Sequence, residues 1–159
     1  MEQQINEKIR EIAQSVNEAI PVAWDNLYIG INLASDGGGV HYFFNEEGKN
    51  EYIYNLYIPK QYSIPISEFK ENERRIFRLA WELREIFEKE GQALWSSCTI
   101  KVLGTKLSAE FDYAPWTESG FGPSALLKYF KYKYLGFEPR NEKELEQFKA
   151  MEAFQQEHN

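Results

Sequence analysis

The sequence predicts an α+β fold: a single domain in which an antiparallel sheet of about five strands carries helices packed on one face. Three observations lead there. Several short stretches alternate apolar and polar residues with period two, stripes of helical period flank them, and the short loops favour antiparallel neighbours. The element order is α-β-β-β-α-β-β-α-α over residues 1–159, with no repeat and no Pro- or Ser-rich linker to mark a second domain.

Ile5, Ile9, Ile12, Val16, Ala19 and Ile20 form the stripe of an amphipathic helix that Pro21 closes. Leu27, Ile29, Ile31 and Leu33 then alternate with Tyr28, Gly30, Asn32 and Ala34, which is a strand with one apolar face. Ser35 to Gly39 reads as a glycine-rich turn, so Val40 to Phe44 folds back as the hairpin partner. A second turn at Glu46 to Lys49 leads to Glu51 to Ile58, aromatic and β-branched enough for a third strand, and Pro59 and Pro65 bracket an irregular connection.

Ser67 is positioned to cap the longest helix, whose stripe is Ile76, Ala80, Leu83 and Phe87 and whose stop is Gly91. Cys98, Ile100 and Val102, then Leu107, Ala109, Phe111 and Tyr113, give a second hairpin turning at Gly104 and Thr105. Ala114 to Gly122 has no period and reads as a surface loop. Pro123 opens a short helix ending at Gly136, and Asn141 with Glu144 resembles a capping box that starts a last helix to about Gln156.

Composition excludes several classes of function. Hydrophobic residues make up 43%, aromatics 16% and charged residues 27%, too aromatic for a disordered tail and too charged for a membrane span. The net charge of −7 repels nucleic acid and anionic lipid and favours a cationic partner. Cys98 is the single cysteine, which rules out an intramolecular disulfide and CxxC sites and suits a reducing cytoplasm. The charged N-terminus lacks the apolar run of a secretion signal.

Candidate chemistry is sparse. His41 falls inside a predicted strand and His158 in the C-terminal tail, so no two-histidine metal site is available. Asp36 to Gly39 lacks the spacing of a phosphate-binding loop and precedes a strand instead of a helix. Cys98 shares a strand face with Ile100 and Val102 and reads as a buried, inert thiol. Glu110 and Asp112 could pair for metal binding or acid catalysis, though a solvated strand face explains them as well. No catalytic set and no cofactor site emerges, so the chain reads as a non-enzyme.

Two surface readings remain. Lys128, Lys131 and Lys133 interleave with Tyr129, Phe130, Tyr132 and Tyr134, as in single-strand nucleic-acid binders, although Leu127, Phe130 and Tyr134 also fit a core stripe. A nucleic-acid-binding module using that helix is the alternative function. The other reading rests on residues 25–51, whose net charge is −4, and on the acidic 104–122 segment with its aromatics. Such loops have the composition of an interface that accepts Lys or Arg from a basic protein. The interface candidates are Asp36, Glu46, Glu47, Asp112 and Glu118 as cation-pairing carboxylates and Trp116 as a buried anchor.

Several segments in order carry a resemblance. Trp24 to Tyr28, Glu51 to Tyr54 with Ile58, Pro59 and Tyr62, Leu83 and Arg84 with Phe87, Gly91 and Trp95, Phe111 to Tyr113, and Tyr132 to Gly136 are similar to the YezG-like immunity proteins. The resemblance spans nearly the whole chain. It implies a cytoplasmic antitoxin of a Gram-positive bacterium that binds and inhibits the C-terminal nuclease domain of a cognate LXG-type toxin exported by type VII secretion. An acidic inhibitor suits a nuclease whose surface must attract phosphates.

Overall fold

The computed structural model describes residues 1–159 and divides into two compact units, Met1–Phe111 and Asp112–Asn159. Along the chain run α1 (Glu2–Ala19), β1 (Trp24–Ala34), β2 (Gly37–Glu46), β3 (Tyr52–Tyr54), a 3₁₀ turn (Asn55–Tyr57), α2 (Ile58–Tyr62), α3 (Ile66–Lys89), β4 (Ser97–Leu103) and β5 (Lys106–Asp112). A second 3₁₀ turn (Trp116–Glu118), α4 (Pro123–Leu135) and α5 (Glu142–Glu157) follow. The predicted order and class hold, with two 3₁₀ turns and the five-residue α2 added.

The sheet has five strands in the order β3-β2-β1-β4-β5, so the most apolar strand lies at its centre. Antiparallel register sets Leu27, Ile29 and Ile31 opposite Phe44, Tyr42 and Val40 on one side, and opposite Val102, Ile100 and Cys98 on the other. Period two therefore gathers all nine side chains on one face. Ile9, Ile12 and Val16 of α1 and Ile76, Ala80 and Leu83 of α3 cover that face, forming the core of the first unit. Trp95 closes one end, edge-on to Phe87 and tilted against Phe111. Cys98 is fully buried, and burial pushes its thiol far above the usual range, so it stays protonated and inert.

Three boundaries differ from the sequence expectation. The hairpin turn is only Ser35 and Asp36, and the glycines expected in it form the start of β2. Gly38 pairs with Leu33 so closely that a Cβ there would lie 2.0 Å from the Asn32 carbonyl oxygen, which excludes any side chain. The long helix begins at Ile66 behind Pro65 with no side-chain cap, so Ser67 does not cap it. Its end is as expected: Gly91 turns the chain at φ 67° and lets the Gln92 N–H reach the Phe87 carbonyl at 2.9 Å.

The third difference is larger. Instead of a strand over residues 51–58, pairing stops at Tyr54, because the buried Asn55 side chain accepts the Tyr42 N–H at 3.1 Å in place of the next ladder carbonyl. A 3₁₀ turn has three residues per turn, so Asn55 and Ile58 both face inward while Leu56 and Tyr57 face out. Pro59 then sits in the first turn of α2, where its fixed φ and missing N–H suit a helix, so the expected irregular connection is partly helical.

The second unit is built from the 3₁₀ turn and the two C-terminal helices around Ala114, Trp116, Tyr129, Phe148 and Met151. Asn141 caps α5 by accepting the Glu144 N–H at 2.9 Å, and Glu144 in turn accepts the Arg140 N–H at 3.1 Å, a capping box displaced by one residue. No helix is long and apolar enough to cross a membrane.

Candidate functional site

The predicted interface residues occupy three different settings. Asp36 is exposed in the β1–β2 turn, whereas Glu46 and Glu47 lie at the other end of β2. A strand rises about 3.3 Å per residue, so about 30 Å separates them and they do not form one patch. Asp112, Trp116 and Glu118 belong to the second unit.

At the Glu46 end the main chain converges tightly. Asp25 accepts the Gly48 N–H at 2.9 Å, and the Glu47 N–H reaches the Ala23 carbonyl at 3.0 Å, fixing the turn after β2. Glu46 accepts the Tyr62 hydroxyl and pairs with Lys49 at 2.8 Å. These two donors, the lysine foremost, hold its carboxyl below the usual carboxylate range, so it is fully ionised at neutral pH. Glu47 and Glu51 beside it are exposed. The turn thus presents a fixed anionic edge able to receive a Lys or Arg side chain.

Asp112 behaves differently from the solvated strand-face carboxylate expected. It is 8% exposed and accepts four hydrogen bonds, from the Ala114 N–H at 2.9 Å, the Trp116 Nε1–H at 2.7 Å, Gln155 Nε2 at 2.9 Å and Asn159 Nδ2 at 2.8 Å. Trp116 is also 8% exposed, with its ring 5.0 Å from Phe154 and 6.0 Å from Tyr129. The segment expected as a surface loop is therefore pinned inward by its tryptophan, and only Thr117, Glu118, Gly120 and Gly122 are exposed. Asp112 and Trp116 shape the loop that displays Glu118.

Glu110 pairs with Lys101 at 2.8 Å. No group of three His, Cys, Asp or Glu residues comes together to hold a metal ion. Burial holds His41 down at about 4, so its ring is neutral at pH 7. In the basic and aromatic helix, Tyr129 and Phe130 are buried, Tyr132 stacks on Phe148 at 4.7 Å, and Lys133 donates to Gln155 at 2.8 Å. Tyr129 and Tyr132 are engaged in packing where a single-strand binder needs open ring faces, and they supplant Leu127 in the predicted stripe.

Sequence reasoning missed the structural parts played by Tyr62 and Asn55: the first clamps Glu46 and the second ends β3. Glu51, counted in the acidic 25–51 stretch but not among the interface candidates, is exposed two residues beyond Lys49. Only Asn55 left a local signal, as a polar residue inside an otherwise aromatic and β-branched run.

Known proteins are similar in sequence to this chain across most of its length. The type VII secretion system protein EsaG of Staphylococcus aureus is 30% identical over 154 residues, covering 96% of this chain and 94% of that protein. The immunity protein YezG of Bacillus spizizenii is 30% identical over 132 residues, 82% of each chain, and YezG of Bacillus subtilis is 24% identical over 136 residues. Residues 5–149 match the family described as Immunity protein YezG-like, and this chain belongs to the YezG-like immunity protein family.

Proposed function

We propose that this protein is a cytoplasmic antitoxin that binds the C-terminal nuclease domain of a cognate LXG-type toxin, itself exported by type VII secretion, and blocks it without catalysing a reaction. The observation that carries this reading is the family match over residues 5–149. The net charge of −7 supports a nuclease partner, because a protein that holds phosphates presents cations that an anionic inhibitor can occupy. No cofactor enters the scheme.

Glu46 and Glu47 form the first contact, with Glu51 extending the edge. Asp36 and Glu118 are separate cation-pairing points, while Asp112 and Trp116 contribute by holding the Glu118 loop in shape. Charge complementarity speeds encounter and selects the partner.

Co-expression with the adjacent toxin gene tests the reading: growth is rescued by this protein, and killing that persists with both proteins soluble refutes it. Glu46→Ala/Glu47→Ala weakens binding of the purified toxin domain about tenfold, an effect that diminishes at high salt. An unchanged Kd removes this edge from the interface.

A further inference from the structure

Leu56, Tyr57 and Ile66 are large apolar side chains left 58%, 61% and 56% exposed, and all three lie within one stretch of eleven residues. The 3₁₀ geometry explains two of them, since anchoring Asn55 and Ile58 in the core turns Leu56 and Tyr57 outward. Ile66 projects from the uncapped first turn of α3. Leu56 and Ile66 line a groove together with Pro59, Ile64 and Phe69, and the only charged residues lining it are Lys60 and Lys70.

The groove is rigidly framed. Ser63 ends α2 in the left-handed region at φ 55°, a conformation costly for a residue with a side chain, and the Ile64 N–H closes the turn onto the Pro59 carbonyl at 3.0 Å. Tyr62, one residue earlier, is the hydroxyl donor to Glu46. The anionic edge and the lysine-rimmed groove are thereby tied to each other within one unit.

We propose that this groove is a second contact surface for the toxin, of opposite electrostatic sign to the Glu46–Glu47 edge, and that it seats an apolar segment of the toxin flanked by carboxylates. The inference rests on the antitoxin reading. Charge selects the occupant: in a protein of net charge −7, an apolar floor lined only by cations complements aliphatic side chains next to Asp or Glu. A second copy is a poor occupant, because a two-fold contact through this patch brings Lys60 and Lys70 of both copies together without compensation from the groove lining. Two surfaces of opposite sign fix the register of the partner and reject relatives that carry only one of the matching charges.

The experiment measures binding of the purified C-terminal domain of the toxin encoded beside this gene to the full chain. Leu56→Ser/Ile66→Ser and Lys60→Glu/Lys70→Glu each raise Kd about tenfold or more while the melting temperature stays near wild type, because all four side chains are exposed or line an open groove. Wild-type affinity in both variants overturns the groove assignment, and if Glu46→Ala/Glu47→Ala still weakens binding the antitoxin reading survives alone. Absence of any complex with the wild-type chain overturns both. A concentration-dependent dimer in sedimentation that the groove variants dissolve overturns the choice of occupant in favour of a second copy.

Discussion

Replacing Asp112 by alanine withdraws the acceptor from four donors at once. The Gln155 and Asn159 amides are only partly buried and can turn to water, so their loss weighs little. The Ala114 N–H and the Trp116 indole N–H lie in buried bonds, and a buried donor deprived of its acceptor costs about 1–3 kcal/mol. The sum is about 4 kcal/mol, against typical domain stabilities of about 5–15 kcal/mol. Asp112→Asn keeps the shape and one accepting oxygen, so about half that loss is expected. Hydrogen–deuterium exchange read peptide by peptide separates the units: protection falls in residues 114–157 and persists in β1 and β2. Circular dichroism supplies the accompanying drop in melting temperature. If Asp112→Ala melts within about 1 °C of wild type and keeps its protection pattern, the carboxylate does not organise the second unit.

Two further outcomes follow from the first unit. Burial pushes the Glu73 carboxyl up to about 7, against a hydrogen bond from Asn55 at 2.5 Å that favours the charged form. Because the folded chain holds this proton well above the pH at which the unfolded chain releases it, stability falls as pH rises from about 4.5 to about 7. Glu73→Gln removes that slope and stabilises the protein at pH 8 by about 2 kcal/mol after allowance for partial solvation, with little change near pH 4; parallel urea-unfolding profiles for the two proteins across this range contradict the assignment. Gly38→Ala forces a methyl against the Asn32 carbonyl at 2.0 Å and lowers stability by about 3 kcal/mol in the same assay, whereas Gly39→Ala, which meets no atom within 4 Å, changes it far less. Equal losses at the two glycines argue against the close strand approach.

The alternation of Leu27 to Leu33 and the helical stripes of α1 and α3 were sufficient to place the elements and their buried faces, because those periods are imposed by backbone geometry within a few residues. Gly91 and Asn141 were legible as termini for the same reason: the atoms they engage lie within one turn. The candidate interface was less legible. Asp36 and Glu46 sit in one acidic stretch of sequence yet at opposite ends of a ten-residue strand, so proximity along the chain implied a patch that extended backbone takes apart.

Sequence alone therefore determined the α+β class, the order of elements, the side of the sheet that carries the core, and the acidity that points to a cationic partner. Tertiary structure decided the fate of individual polar and aromatic groups. Asp112 is held inside chiefly by the Ala114 N–H and the Trp116 indole N–H, and Trp116 is itself packed against Tyr129 and Phe154 of the two later helices; β3 ends where the Asn55 side chain takes a neighbouring strand's N–H. Whether a carboxylate faces solvent or the interior depends on packing partners that arrive from distant segments and bury its donors, and no local period encodes their arrival.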